Sequence, residues 1–74
     1  MKMELLDVTG LRRQQVVLHM AKKAVYMRQG DVLEVVGDCP SLEKVIQDWC
    51  TRLGREWLAV RREKGERTTV WVEV

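Results

Sequence analysis

One amphipathic stretch in the second half of the chain constrains the fold most strongly. Between Pro40 and Gly54 the apolar side chains recur every third or fourth position, which is the spacing of one helix face: Leu42, Val45, Ile46, Trp49, Cys50 and Leu53. Proline is tolerated in the first turn of a helix, and glycine commonly follows the last turn. The stretch therefore predicts a helix that has Pro40 near its first turn, ends before Gly54 and buries one face.

The other apolar segments predict a second helix and four strands. A segment without glycine or proline precedes Gly30, and the sequence predicts a helix there with these residues facing the core: Val17, Met20, Ala21, Ala24 and Met27. This helix is expected to cover 11–28. Short β-branched or alternating segments between turn residues predict strands at 3–8, 32–36, 57–61 and 68–74, the last two joined by a hairpin turn around 63–66.

The order of these elements is β-α-β-α-β-β. Two helices with one apolar face each cover only one face of a four-stranded sheet, so the predicted class is α+β, a two-layer sandwich with a mixed sheet. Residues 1–74 are expected to form a single domain. If the first two strands are parallel, both helix N-termini lie at one edge of the sheet, which brings 10–13 close to 37–40 and makes this edge the expected place for chemistry.

Composition and charge exclude several classes of function. No apolar run approaches the roughly 20 residues that a membrane span needs, and the charged amino terminus does not resemble a signal segment. Two cysteines are too few for a disulfide framework, so a cytoplasmic location is expected. With one histidine, no metal site is predicted, and no cofactor either. A formal net charge of +2 makes nucleic-acid binding an unfavoured interpretation.

The spacing of several short motifs resembles the TusA/SirA family of small sulfur-carrier proteins. The residues at 6–12, Leu-Asp-Val-Thr-Gly-Leu-Arg, fit the lead-in to the family signature Gly-Leu-Arg-Cys-Pro-x-Pro at the start of the first helix. The family's glycine after that helix matches Gly30, and its Asp-Asp-Pro matches 38–40. The resemblance extends without a gap from Asp7 to about Val60. It implies the same fold and a role in sulfur relay.

The sequence departs from the family where the resemblance would place the chemistry. The persulfide-bearing cysteine of the family falls on Arg13, and its two prolines fall on Gln14 and Val16. The aspartate of the family's second helix falls on Val45. An arginine cannot carry a persulfide, because the chemistry needs a sulfur nucleophile that can be deprotonated. The usual activity at the usual position is therefore expected to be lost.

Cys39 is the candidate for a relocated sulfur site. Cys39-Pro40 repeats, one βα unit later, the Cys-Pro pair that the family places after its first strand. A helix N-terminus favours the thiolate, and Arg12 or Arg13 would stabilise it further, whereas the neighbouring Asp38 opposes it. The alternative is a small residue tolerated in a turn. The other thiol, Cys50, belongs to the apolar helix face and is expected in the core.

The segment that contains Gly10, Arg12 and Arg13 is a candidate binding site. Cations at a helix N-terminus oppose the helix dipole, but guanidinium groups beside free backbone N–H groups suit a phosphate or a carboxylate. The candidate binding residues are therefore Gly10, Arg12, Arg13 and Pro40. The alternative is a pair of solvated surface arginines. A further candidate contact residue is Trp71, which alternates with Val70 and Val72 and is therefore expected on the uncovered sheet face.

Three functions remain open from the sequence. The first is a divergent sulfur-relay protein that uses Cys39, at most a sulfur carrier or sulfurtransferase partner, with a desulfurase or a sulfur acceptor as its protein partner. The second is a non-catalytic module of the same fold that binds a partner protein through the Arg13 edge. The third is RNA binding, because the element order is similar to that of the C-terminal domain of translation initiation factor three; the low charge and the lack of a stacking platform oppose it.

Overall fold

The computed structural model describes all 74 residues. Four strands and two helices follow each other in the predicted order: β1 (Met3–Asp7), α1 (Arg13–Ala24), β2 (Val32–Gly37), α2 (Leu42–Leu53), β3 (Glu56–Arg62) and β4 (Thr68–Glu73). A short 3-10 turn, Lys64–Glu66, closes the hairpin between β3 and β4. Neither helix is long and apolar enough to cross a membrane.

The four strands form one mixed sheet in the order β1-β2-β4-β3. β1 and β2 are parallel, with Leu6 opposite Val35, and β4 runs antiparallel to both β2 and β3. Parallel neighbours need a crossover connection, and α1 supplies it between β1 and β2. The structure therefore confirms the α+β class, the element order and the mixed four-stranded sheet.

The core lies between the sheet and the two helices. On β2 and β4 the paired residues Leu33 and Val72, and Val35 and Val70, are fully buried and point to one face because side chains alternate along a strand. The same cluster contains Val16 and Met20 of α1 and the apolar face of α2. Both helices therefore cover one face of the sheet, as the sequence predicted.

α1 is shorter than the sequence predicted and faces the core through different residues. It ends at Ala24 rather than near residue 28, because the N–H groups of Tyr26 and Met27 donate to carbonyls only three residues back and tighten the chain into turns. Its buried residues are Val16 and Met20, four positions apart. The prediction that Ala21 faces the core is wrong, since that residue is exposed.

α2 confirms the predicted apolar face except for its last member. Pro40 lies near the first turn, as predicted, in a turn where Leu42 N–H donates to the Cys39 carbonyl, and Ser41 is the N-cap residue. Gly54 ends the helix in the left-handed conformation at φ 68°, which glycine adopts without steric cost. Leu53 is 51% exposed and lies at the margin of the buried face.

A buried carboxylate fastens the start of β1 to the loop that follows α1. Asp31 is 7% exposed, and its two oxygens accept hydrogen bonds from the backbone N–H groups of Arg28, at 2.9 Å, and Lys2, at 3.0 Å. These bonds, the one from Arg28 first, lower the pKa of the Asp31 carboxyl from its ordinary value of 3.8. The folded state therefore favours the ionised form of Asp31.

Asp31→Asn is expected to weaken the dependence of stability on acid pH. Because the folded-state pKa of Asp31 is lowered, its carboxylate stabilises the fold fully above about pH 5, and the contribution is lost as the pH falls through the folded-state pKa. Thermal melts of the wild type and the variant across the acid range measure this. The wild type should lose melting temperature more steeply than the variant, and parallel curves would contradict the assigned role of Asp31.

Candidate functional site

The parallel pairing of β1 and β2 brings the two predicted site segments together at one edge of the sheet. Beyond the end of β1, Val8 N–H still donates to the Val36 carbonyl at 2.7 Å. Two residues later, Gly10 N–H donates to Oδ1 of Asp38 at 2.9 Å. The segment that leads into α1 is therefore tied to the segment that leads into α2, as the topology predicted.

A serine that the sequence analysis did not single out joins the candidate residues of the two segments. Ser41 Oγ accepts a hydrogen bond from Nη2 of Arg13 at 3.5 Å and lies 3.6 Å from the Cys39 sulfur. Ser41 is the N-cap residue of α2, but its side chain makes no capping hydrogen bond, so the hydroxyl is available to these two neighbours. The signal in the sequence was a serine, a favoured N-cap residue, directly after Pro40.

The two arginines occupy the start of α1 as the sequence predicted. Arg12 is the N-cap residue, and its backbone N–H donates to Gln15 Oε1 at 2.9 Å. Arg13 is the first helical residue, and the first turn contains no acidic side chain. Both arginine side chains are exposed, and neither takes part in an ion pair. The edge therefore presents two guanidinium groups to solvent, and that of Arg13 lies beside the Ser41 hydroxyl next to the thiol.

The two thiols lie in different environments. Cys39 is half-buried in the turn before α2, with its sulfur beside the Ser41 hydroxyl. Cys50 is 4% exposed in the core, and its burial raises the pKa of its thiol. The raised pKa opposes formation of the thiolate that sulfur chemistry needs. Cys39 is thus the more exposed of the two thiols.

The histidine and the two strand tryptophans lie in three different environments. His19 is exposed on α1, and nowhere do three histidine, cysteine, aspartate or glutamate side chains gather in a way that could hold a metal ion. Trp71 is half-buried on the sheet face opposite the helices, and the guanidinium carbon of Arg61 lies 5.7 Å from its ring centroid. Trp57 pairs with Val72 and faces the helices instead.

Comparison with known protein families gives a match over nearly the whole chain. The family model described as "Sulfurtransferase TusA" matches residues 4–74, which leaves out only the first three residues. A search of curated proteins found no match. The family match agrees with the resemblance that Gly10, Gly30 and Pro40 indicated in the sequence, and the structure has the β-α-β-α-β-β order that this resemblance implied. On this evidence the chain belongs to the TusA sulfurtransferase family.

Proposed function

We propose that this protein is a sulfur-relay protein whose carrier atom is the sulfur of Cys39. One observation carries the proposal: Cys39 and Arg13 both lie beside the Ser41 hydroxyl, and the resemblance places Arg13 at the position of the family's persulfide cysteine. The thiol therefore lies at the same edge of the sheet as the usual site, on the neighbouring segment. Membership of the sulfurtransferase family supports the general role.

The proposed step is the transfer of one sulfur atom between thiols. The Cys39 thiolate attacks the outer sulfur of a donor persulfide, R–S–SH, and a new S–S bond forms as the S–S bond of the donor breaks. The donor leaves as the thiolate R–S⁻, and Cys39 becomes Cys39–S–SH. No external oxidant or reductant is consumed. Attack by an acceptor thiolate on the outer sulfur reverses these roles and passes the sulfur on.

The surroundings of Cys39 suit a sulfur anion. The Ser41 hydroxyl can donate to the sulfur, and the guanidinium of Arg13 lies on the other side of that hydroxyl. The carboxylate of Asp38 opposes a negative sulfur, but it accepts the Gly10 N–H and is thereby held toward the segment before α1. Arg12 and Arg13 are free to meet the acidic surface of a desulfurase or a sulfur acceptor, the partners that this role requires. With only two cysteines and no disulfide framework expected, a cytoplasmic location suits this role.

Intact mass after sulfur loading tests the proposal. The wild type, Cys39→Ser and Cys50→Ala are incubated with a cysteine desulfurase and free cysteine, and in parallel with glutathione persulfide, which needs no protein docking. The wild type and Cys50→Ala should each gain the mass of one sulfur atom, and a reducing agent should remove it. Cys39→Ser should gain none, because its remaining thiol is buried.

Two results would reject this assignment. One is a sulfur gain that persists in Cys39→Ser, and the other is the absence of any gain from either donor. Circular dichroism of each variant shows whether the fold is intact and so separates a lost carrier atom from a lost structure. Without a carrier thiol, the protein would instead be a non-catalytic protein-binding module of the same fold.

A further inference from the structure

A cationic groove runs between the two helices on the side away from the sheet. Its volume is about 180 Å³, and its charged rim consists of Arg13 from α1 with Lys44, Asp48 and Arg52 from α2. The three residues of α2 are spaced four apart and therefore form one row along the helix. All four charged side chains are exposed.

The positive charge of the groove is not neutralised within the molecule. Three cations stand against one carboxylate, and no carboxylate oxygen lies within ion-pair distance of Arg13, Lys44 or Arg52. The four ion pairs of the chain all lie elsewhere and involve Lys2, Lys23, Arg61 and Arg62. The groove therefore presents an excess of positive charge to an occupant.

The floor of the groove is apolar and small. It is formed by Val17 of α1 together with Val45 and Trp49 of α2, and the last two are only 6% and 5% exposed. Small-molecule sites usually enclose roughly 300–1,000 Å³, so this groove is too small to enclose such a ligand. Its size suits a single apolar side chain, with the cations around it left to meet groups that flank that side chain.

We propose that this groove binds an acidic polypeptide segment of a partner protein, which places one apolar side chain between the helices and its carboxylates on the rim. Charge complementarity carries this choice of occupant, since the rim has an excess of cations around an apolar floor. The inference does not depend on sulfur chemistry at Cys39. Because Arg13 belongs to the rim and also contacts Ser41, a bound segment would lie next to the Cys39 edge.

The test measures binding of a fluorescently labelled pentapeptide with a central leucine between pairs of glutamates. Fluorescence anisotropy at low and high ionic strength gives its affinity for the full chain. The double variant Lys44→Gln with Arg52→Gln should bind about fivefold more weakly, since exposed ion pairs each contribute modestly. Asp48→Asn should bind more tightly than the wild type, because it removes the one carboxylate of the rim.

A matched control separates this groove from general attraction to a positive protein. Lys64→Gln with Arg67→Gln removes two cations from the hairpin tip, which lies outside the groove, and lowers the net charge equally. This variant should bind the peptide as the wild type does. Replacing the central leucine by alanine should weaken binding, and raising the ionic strength should weaken it too. Cys39→Ser should bind normally, which keeps this test independent of sulfur loading.

Several results would overturn the inference. These are equal losses in the two double variants, no effect of the leucine replacement, or no measurable binding at millimolar peptide. Preferential binding of a single-stranded RNA oligonucleotide with the same dependence on Lys44 and Arg52 would also overturn it, because the occupant would then be a different kind of polymer.

Discussion

Trp49→Ala is expected to lower the free energy of unfolding by about 3–5 kcal/mol, the range for truncating a large aromatic residue in a core. Trp49 is 5% exposed on α2 and belongs to the single hydrophobic cluster that joins both helices to the sheet. A small domain has on the order of 5 kcal/mol of stability in total, so this loss should leave much of the population unfolded at room temperature. Urea or thermal denaturation followed by circular dichroism measures it.

A leucine on the same helix provides the control for this variant. Leu53 also continues the apolar pattern of α2, but 51% of it is exposed, so Leu53→Ala should cost only about 1 kcal/mol. Both substitutions replace a large apolar residue of α2 by alanine, so the difference between the two losses of stability reports on burial. Similar losses in Trp49→Ala and Leu53→Ala would contradict the arrangement of the core described above.

Gly37→Ala is expected to destabilise the protein by about 1–3 kcal/mol, the usual cost of forcing an extra methyl group into a packed core. A Cβ atom at Gly37 would lie 2.7 Å from Cγ2 of Val8 and 3.3 Å from Cδ2 of Leu42. Val8 is 0% exposed and Leu42 is 1% exposed, so neither side chain can move aside freely. Gly37 therefore lies in close contact with the residue after β1 and with the start of α2. Denaturation measurements give the effect.

A second substitution tests the contact that this prediction rests on. Val8→Ala removes the methyl group that the new Cβ atom would meet, so the double variant should be more stable than the sum of the single effects predicts, by about 0.5 kcal/mol or more. Simple additivity would show that the contact with Val8 is not the cause. Unchanged stability of Gly37→Ala would show that the approach is looser than 2.7 Å.

The sequence predicted correctly those helices and strands whose apolar pattern fits only one buried face. α2 has six apolar residues on one face and a glycine directly after them, and the structure gives a helix of these bounds. On β4 the residue order predicted Val70 and Val72 on one face and Trp71 on the other, as the structure has them, although Thr69 on the face of Trp71 is only 1% exposed. The edge that joins the two candidate segments was predicted on the condition that β1 and β2 are parallel, and the structure meets this condition.

α1 was less predictable because its pattern is ambiguous. Val16, Val17 and Leu18 are consecutive, so apolar residues recur at helical spacing on more than one face of this helix. Only packing against the sheet determines that the face with Val16 and Met20 is the buried one. Its end is also not marked locally, since the apolar residues Val25 and Met27 continue past Ala24 into turns. The tertiary structure thus decided what local pattern left open.

The candidate site was predicted in part. Topology brought the Arg13 segment to the Cys39 segment, but the connection through Ser41 depends on a side-chain rotamer that no sequence pattern specifies. The groove was missed because charged residues at Lys44, Asp48 and Arg52 are what any exposed helix face carries. They form a cationic rim only together with Arg13 on the facing helix, and the packing of the two helices was needed to show this.

The position of β4 in the sheet has a consequence for the order in which the protein can fold during its synthesis. β4 follows the other three strands in the chain, yet it lies between β2 and β3 and supplies the fully buried Val70 and Val72. Until it emerges, β3 has no strand to pair with, and one edge of β2 stays open. Synthesis of the first three strands is therefore not enough to complete the core, and the chain stays prone to aggregation until β4 has joined the sheet.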